Sequence, residues 1–134
     1  MNKNKWIDCS RFAWMAGSVA IAVLLPLGVE AHALLVKAEP ARRAALVQAP
    51  HELKLWFNEE IEPAYTKLAL LDAAGKPVTD AKFVVPADNR KLMVLGLPVL
   101  APGRYSVKFR VLSVDGHVVE SAYDFVVKGD ALKK

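Results

Sequence analysis

Asp115-Gly116-His117 places a carboxylate and an imidazole two residues apart. His32 stands at a position that becomes an N-terminus if the chain is cut after Ala31. A terminal histidine can chelate one metal ion through its α-amino group and its ring, and a second imidazole with a carboxylate would complete the set. Amine and neutral imidazole nitrogens suit a borderline metal, the carboxylate balances charge, and a tetragonal set of nitrogen and oxygen donors favours Cu(II). The candidate ligands are therefore His32, Asp115 and His117. If their segment is extended, Asp115 and His117 project to the same side, at the end of a strand running from Tyr105 to Val114, with Gly116 permitting a sharp local path. A plainer reading stays open at this point: Asp-Gly-His is an ordinary turn sequence, an N-terminal histidine can be incidental, and motifs this short match by chance.

Exposure of the His32 amine depends on a leader. Lys3, Lys5 and Arg11 precede an apolar stretch from Phe12 to Leu27, and the segment closes on Val29-Glu30-Ala31, the pattern of a cleavable secretory signal peptide. Gly17, Ser18 and Pro26 interrupt the stretch, which falls short of the roughly 20 apolar residues of a spanning helix. A twin-arginine pair is absent from the leader, and Cys9 precedes the apolar stretch rather than ending it. The expectation is a signal peptide over residues 1–31, general secretory export to a bacterial periplasm, and one domain over residues 32–134 with no stable membrane insertion after cleavage. Such cleavage leaves 15 Lys and Arg against 12 Asp and Glu, scattered along the chain, which argues against a nucleic-acid binder. Cys9, the single cysteine, leaves with the signal, so an exported domain without disulfides must rest on its core, and its length is enough for a modest one.

The elements that would position these residues read as strands. Leu53, Leu55 and Phe57 alternate with Glu52, Lys54 and Asn58, with Trp56 on the polar side. Tyr105, Val107, Phe109 and Val111 alternate with Arg104, Ser106, Lys108 and Arg110. Period-two alternation puts one face in a core and the other in water. Further candidates are Leu34 to Lys37, Lys67 to Leu71, Phe83 to Val85, Lys91 to Leu95 and Val118 to Val127, separated by turn formers around Asp72 to Pro77, Pro86 to Asn89 and Ala101 to Gly103. Seven short strands with frequent turns predict an all-β, seven-stranded antiparallel sandwich of the immunoglobulin-like, Greek-key kind. Leu55, Phe57, Tyr105, Val107, Phe109, Phe125 and Val127 are expected in the core. Helical periodicity is weak, the best case being Ala41 to Val47 between Pro40 and Pro50.

Enzyme motifs are sparse. The chain has no phosphate-cradling glycine loop and no HExxH pair. Ser106, Ser113 and Ser121 lie on or near expected strands, and none sits in a nucleophile elbow. A copper histidine brace, as in oxidative polysaccharide monooxygenases, uses two histidines in the same way. Asp115 argues against it, since a carboxylate would fill the open position that oxygen needs. A metal-free immunoglobulin-like interaction module is the third class the residues allow.

In combination the motifs resemble the CopC family of periplasmic copper-resistance proteins. The resemblance is carried by His32-Ala33-Leu34 with Glu39-Pro40-Ala41, by Ala49-Pro50, by Leu55-Trp56-Phe57-Asn58-Glu59, by Ile61-Glu62-Pro63-Ala64-Tyr65, by Pro102-Gly103-Arg104-Tyr105, and by Arg110 through His117. It implies a β-sandwich holding Cu(II) at one end through His32, Asp115 and His117, with Glu59 beside the ion and orienting its ligands, and an inner-membrane copper transporter as partner. Some members carry a methionine-rich loop for Cu(I). Here Met1 and Met15 lie in the leader and Met93 stands alone on an expected strand, so Met93 reads as a packing residue and a Cu(I) site is not expected. His51, beside Pro50, reads as an exposed turn residue.

Overall fold

The computed structural model describes residues 34–129, which form two packed sheets. The expected signal peptide and His32 lie outside the described residues. The strands are β1 (Leu35–Glu39), β2 (Ala45–Leu46), β3 (Glu52–Phe57), β4 (Lys67–Leu71), β5 (Leu92–Gly96), β6 (Gly103–Leu112) and β7 (Val118–Val127), with one 3-10 turn at Pro63–Tyr65. One sheet has the order β1-β3-β5 and the other β2-β7-β6-β4. Only β6 and β7 are both consecutive and paired; the other connections cross between sheets, as the Greek-key expectation requires.

Alternation builds the core. Leu53, Leu55 and Phe57 of β3 face Tyr105, Val107, Phe109 and Val111 of β6 and Tyr123, Phe125 and Val127 of β7, all buried. All seven residues expected in the core are there. Phe57 and Phe109 meet edge to face across the sheets at 5.6 Å, and Tyr105 stacks on Phe125 at 5.6 Å. Met93 is fully buried, so it packs as expected. Trp56 stays on the polar face because Lys37 covers it, its Nζ lying 4.5 Å from the ring, a contact worth about 0.5–1 kcal/mol at such exposed positions.

Three expectations need correction. The sandwich is antiparallel except where β2 runs parallel to β7, Ala45 opposite Val126 and Leu46 opposite Val127. The Ala41 to Val47 stretch, where helical periodicity was weak, holds β2: Arg43 takes a positive φ of 60° and its N–H donates to Asp124 O at 2.7 Å, so pairing with β7 sets the local conformation. The Phe83 to Val85 strand reduces to one bridge, Val84 with Val94. β6 ends at Leu112 rather than reaching Val114, and the residues that follow form a tight turn.

Candidate metal centre

That turn brings Asp115 and His117 together. Ser113 N–H donates to His117 O at 2.9 Å, and Gly116 N–H donates to Ser113 O at 2.9 Å. Val114, Asp115 and Gly116 thus form a three-residue hairpin loop, and Gly116 takes a φ of 91°, the arrangement of a type I turn closed by a glycine bulge. Side-chain proximity therefore comes from the turn and not, as the sequence suggested, from an extended strand. His117 Nδ1 lies 2.9 Å from Asp115 Oδ2. Asp115 Oδ1 accepts the Ser113 hydroxyl, and the His117 backbone N–H at 3.3 Å. A carboxylate has about four acceptor positions, so three bonds leave one, on Oδ2.

These bonds all favour the charged form of the carboxylate. The Ser113 hydroxyl first, and the His117 ring second, lower the Asp115 carboxyl to about 2. An Nδ1–H held by Asp115 leaves Nε2 as the lone pair that a neutral His117 can offer to a metal. The side chains are 44% and 35% exposed for His117 and Asp115, so an ion can reach both.

The turn is fixed to the neighbouring loop. Val114 N–H donates to Glu60 O at 3.0 Å, Glu62 N–H to Leu112 O at 2.9 Å, and Ile61 bridges Ser113. A shallow depression of about 380 Å³ is lined by Glu59, Glu60, Lys91, Val114 and Asp115, so Glu59 and Asp115 both face it. Arg90 reaches Glu60 and Glu62 at 3.8 and 3.7 Å, whereas Glu59 makes no ion pair among the described residues. At the same end Leu34 N–H donates to Asn58 Oδ1 at 2.6 Å. His51 is exposed, as expected, and stands outside this group.

Among the described residues no three His, Cys, Asp or Glu groups are gathered closely enough to hold a metal ion. The structure brings together Asp115 and His117 and places Glu59 on the same depression as Asp115. Nitrogen and oxygen donors of this kind fit copper or zinc chemistry and not a soft-sulfur site. Two residues were missed in the sequence. Ser113 carried a signal, because it continues the buried row of Tyr105, Val107, Phe109 and Val111 as the first polar residue in it. Asn58 carried none beyond its place at the end of β3.

An immunoglobulin-like sandwich with an Asp-Gly-His turn closing its longest hairpin is the class that fold and site define. The CopC domain family model matches residues 35–128, and the chain belongs to the CopC family. It is 42% identical to CopC from Methylosinus trichosporium OB3b, whose crystal structure superposes with a TM-score of 0.69 over 73% of this chain and 95% of that one. The crystal structure of PcoC, a methionine-rich copper resistance protein from Escherichia coli, is 30% identical, with a TM-score of 0.64, covering 73% of this chain and all of that one. Copper resistance protein C of Xanthomonas campestris pv. juglandis is 32% identical over 73% of this chain and 81% of its own length. The copper transport protein CutJ of Bacillus subtilis is 27% identical over 95% of this chain, which spans only 22% of CutJ.

Proposed function

We propose that the protein is exported, loses residues 1–31 as a signal peptide, and as residues 32–134 captures or buffers Cu(II) in the periplasm, handing it to an inner-membrane copper transporter. Copper is cargo here, and no catalytic role is assigned. The reading is supported by the names of relatives, copper resistance protein C and copper transport protein CutJ. The observation that carries it is the Asp115–His117 pair at 2.9 Å on a turn that shares its end of the sandwich with Glu59 and with the start of the described chain.

In this reading His32 is the third donor. Leu34 is tied to Asn58, the residue before Glu59, and two residues span at most about 7 Å. That short spacing in the sequence is what supports His32 as a donor at this end. Its α-amine and ring, His117 through Nε2, and the remaining Asp115 position then make a set of nitrogen and oxygen donors suited to Cu(II) over other divalent ions. Glu59 adds negative charge beside it. Zn(II) should bind the same groups more weakly.

The test is a Cu(II) titration of the chain beginning at His32 against the same chain with one alanine ahead of it. The extension keeps every side chain and removes only the terminal amine. Affinity should fall strongly in the extended form, and His117→Ala should remove most of it. Because the amine and the imidazoles must be unprotonated to bind, affinity should also fall as pH drops, with protons released on binding. Equal affinity of the extended and processed forms would show that the N-terminal chelate is wrong.

A further inference from the structure

We infer that Ser113 is a positioning residue of the metal centre: its buried hydroxyl orients Asp115, and through Asp115 the ring of His117. The inference rests on the copper reading for its function, but its geometry stands apart from it.

Ser113 is 1% exposed. It occupies the core-facing register of β6 continued past Leu112, two residues beyond the fully buried Val111, and it bridges the fully buried Ile61. An apolar residue would suit that place better, since a buried hydroxyl costs free energy unless it is bonded. A serine there calls for a partner, and two acceptors are within reach: Asp115 Oδ1, and His117 O at 3.2 Å. A hydroxyl has one proton. The charged carboxylate is the stronger acceptor and makes the closer contact, so the proton belongs to Asp115.

The consequence is directional. With Oδ1 held by Ser113, the other oxygen, Oδ2, faces His117 Nδ1 at 2.9 Å. Ser113 itself does not move freely, because its N–H donates to His117 O, its carbonyl accepts Gly116 N–H, and the next residue, Val114, is bonded to Glu60 O. A chain of bonds thus runs from the rigid end of the core, through the hydroxyl and the carboxylate, to an imidazole that is partly in solvent. Without the hydroxyl, Asp115 Oδ1 would keep only the longer bond from the His117 backbone N–H at 3.3 Å, and the carboxylate would hold the ring less firmly. Groups that hold ligands in this way typically change metal affinity by about 10–100-fold when removed.

The experiment compares wild type, Ser113→Ala and Ser113→Thr in two measurements. Nitrogen NMR of the metal-free protein reads the tautomer and orientation of the His117 ring. Cu(II) titration with electron paramagnetic resonance reads affinity and ligand geometry. Thermal unfolding of each variant confirms that it is folded at the temperature used. Ser113→Ala should mix the two ring tautomers, weaken Cu(II) binding by about 10–100-fold and alter the copper spectrum, while Ser113→Thr, which keeps a hydroxyl on a residue suited to extended backbone, should restore both. An alanine variant with the wild-type ring tautomer and copper spectrum would overturn the inference, however stable it proved. If wild type itself bound no Cu(II), the proposed function would fail, and the ring tautomers would still decide whether Ser113 positions the pair.

Discussion

The Asp115 carboxyl is lowered to about 2, by the Ser113 hydroxyl first and the His117 ring second, while in the unfolded chain it would titrate at the ordinary value of about 3.9. A depressed value in the folded state stabilises the fold above the ordinary value, and the contribution is lost as pH falls through the depressed one. The window is therefore roughly pH 4 down to pH 2. Asp115→Asn cannot make this contribution at any pH. In the metal-free protein the thermal midpoint of Asp115→Asn should lie below that of wild type at pH 6, and the gap should narrow between pH 4 and pH 2. A constant gap across that range would mean that the carboxylate is not held in the folded protein as described. At this scale the sequence shows residue types and spacing, so Asp115 and His117 were legible from it. The partner of Asp115 was legible only in part: its place in the buried row of β6 marks Ser113 as a hydroxyl that needs a bond, but only the turn shows which acceptor takes it.

The β6–β7 hairpin is the element that delivers the pair, and one residue gives it its shape. Gly116 has a φ of 91°, in a region that an L residue enters at a cost of about 1–2 kcal/mol. A Cβ added there would meet nothing within 4 Å, so the cost of Gly116→Ala is one of backbone conformation alone. Denaturant unfolding should show a loss of about 1–2 kcal/mol, and Cu(II) binding should weaken as well, since Asp115 and His117 lie on either side of the altered residue. Gly116→Asn should lose less, because asparagine enters the left-handed region more readily. Elements with clear alternation were legible: β4 and β7 have the expected bounds, and β3 covers the expected residues from Glu52 to Phe57, ending before Asn58. β2 was not, because two residues paired to a distant strand carry no period of their own, and its parallel partner β7 lies about eighty residues away in the chain. Phe83 to Val85 looked like a strand by composition, yet it meets β5 at one bridge only.

On the scale of the whole molecule the two sheets pack through apolar side chains, with no disulfide among the described residues, and the fold class was legible for that reason: a core made by alternation is written along the strands that make it. The assembly of the proposed metal end was less so, since it depends on the loop after β3, the β6–β7 turn and the start of the described residues meeting at one edge. Phe109 tests the first point and separates it from the second. It is 3% exposed and extends from β6 in one sheet to Phe57 on β3 in the other, ring to ring at 5.6 Å. Truncation removes both its buried area and this aromatic contact and leaves a cavity between the sheets. Phe109→Ala should cost about 3–5 kcal/mol, a large share of the roughly 5–15 kcal/mol by which domains are stable, and thermal unfolding should show a correspondingly large drop in midpoint. Val99 is 93% exposed, and Val99→Ala, which removes no buried contact, should stay within about 0.5 kcal/mol. Phe109 lies four residues before Ser113 and in the interior, so at a temperature where Phe109→Ala remains folded its Cu(II) affinity should stay close to wild type. A Phe109→Ala protein as stable as wild type would contradict the packing described between the sheets. One that was fully folded yet unable to bind Cu(II) would show that the metal end depends on the core more closely than the bonds at the β6–β7 turn require.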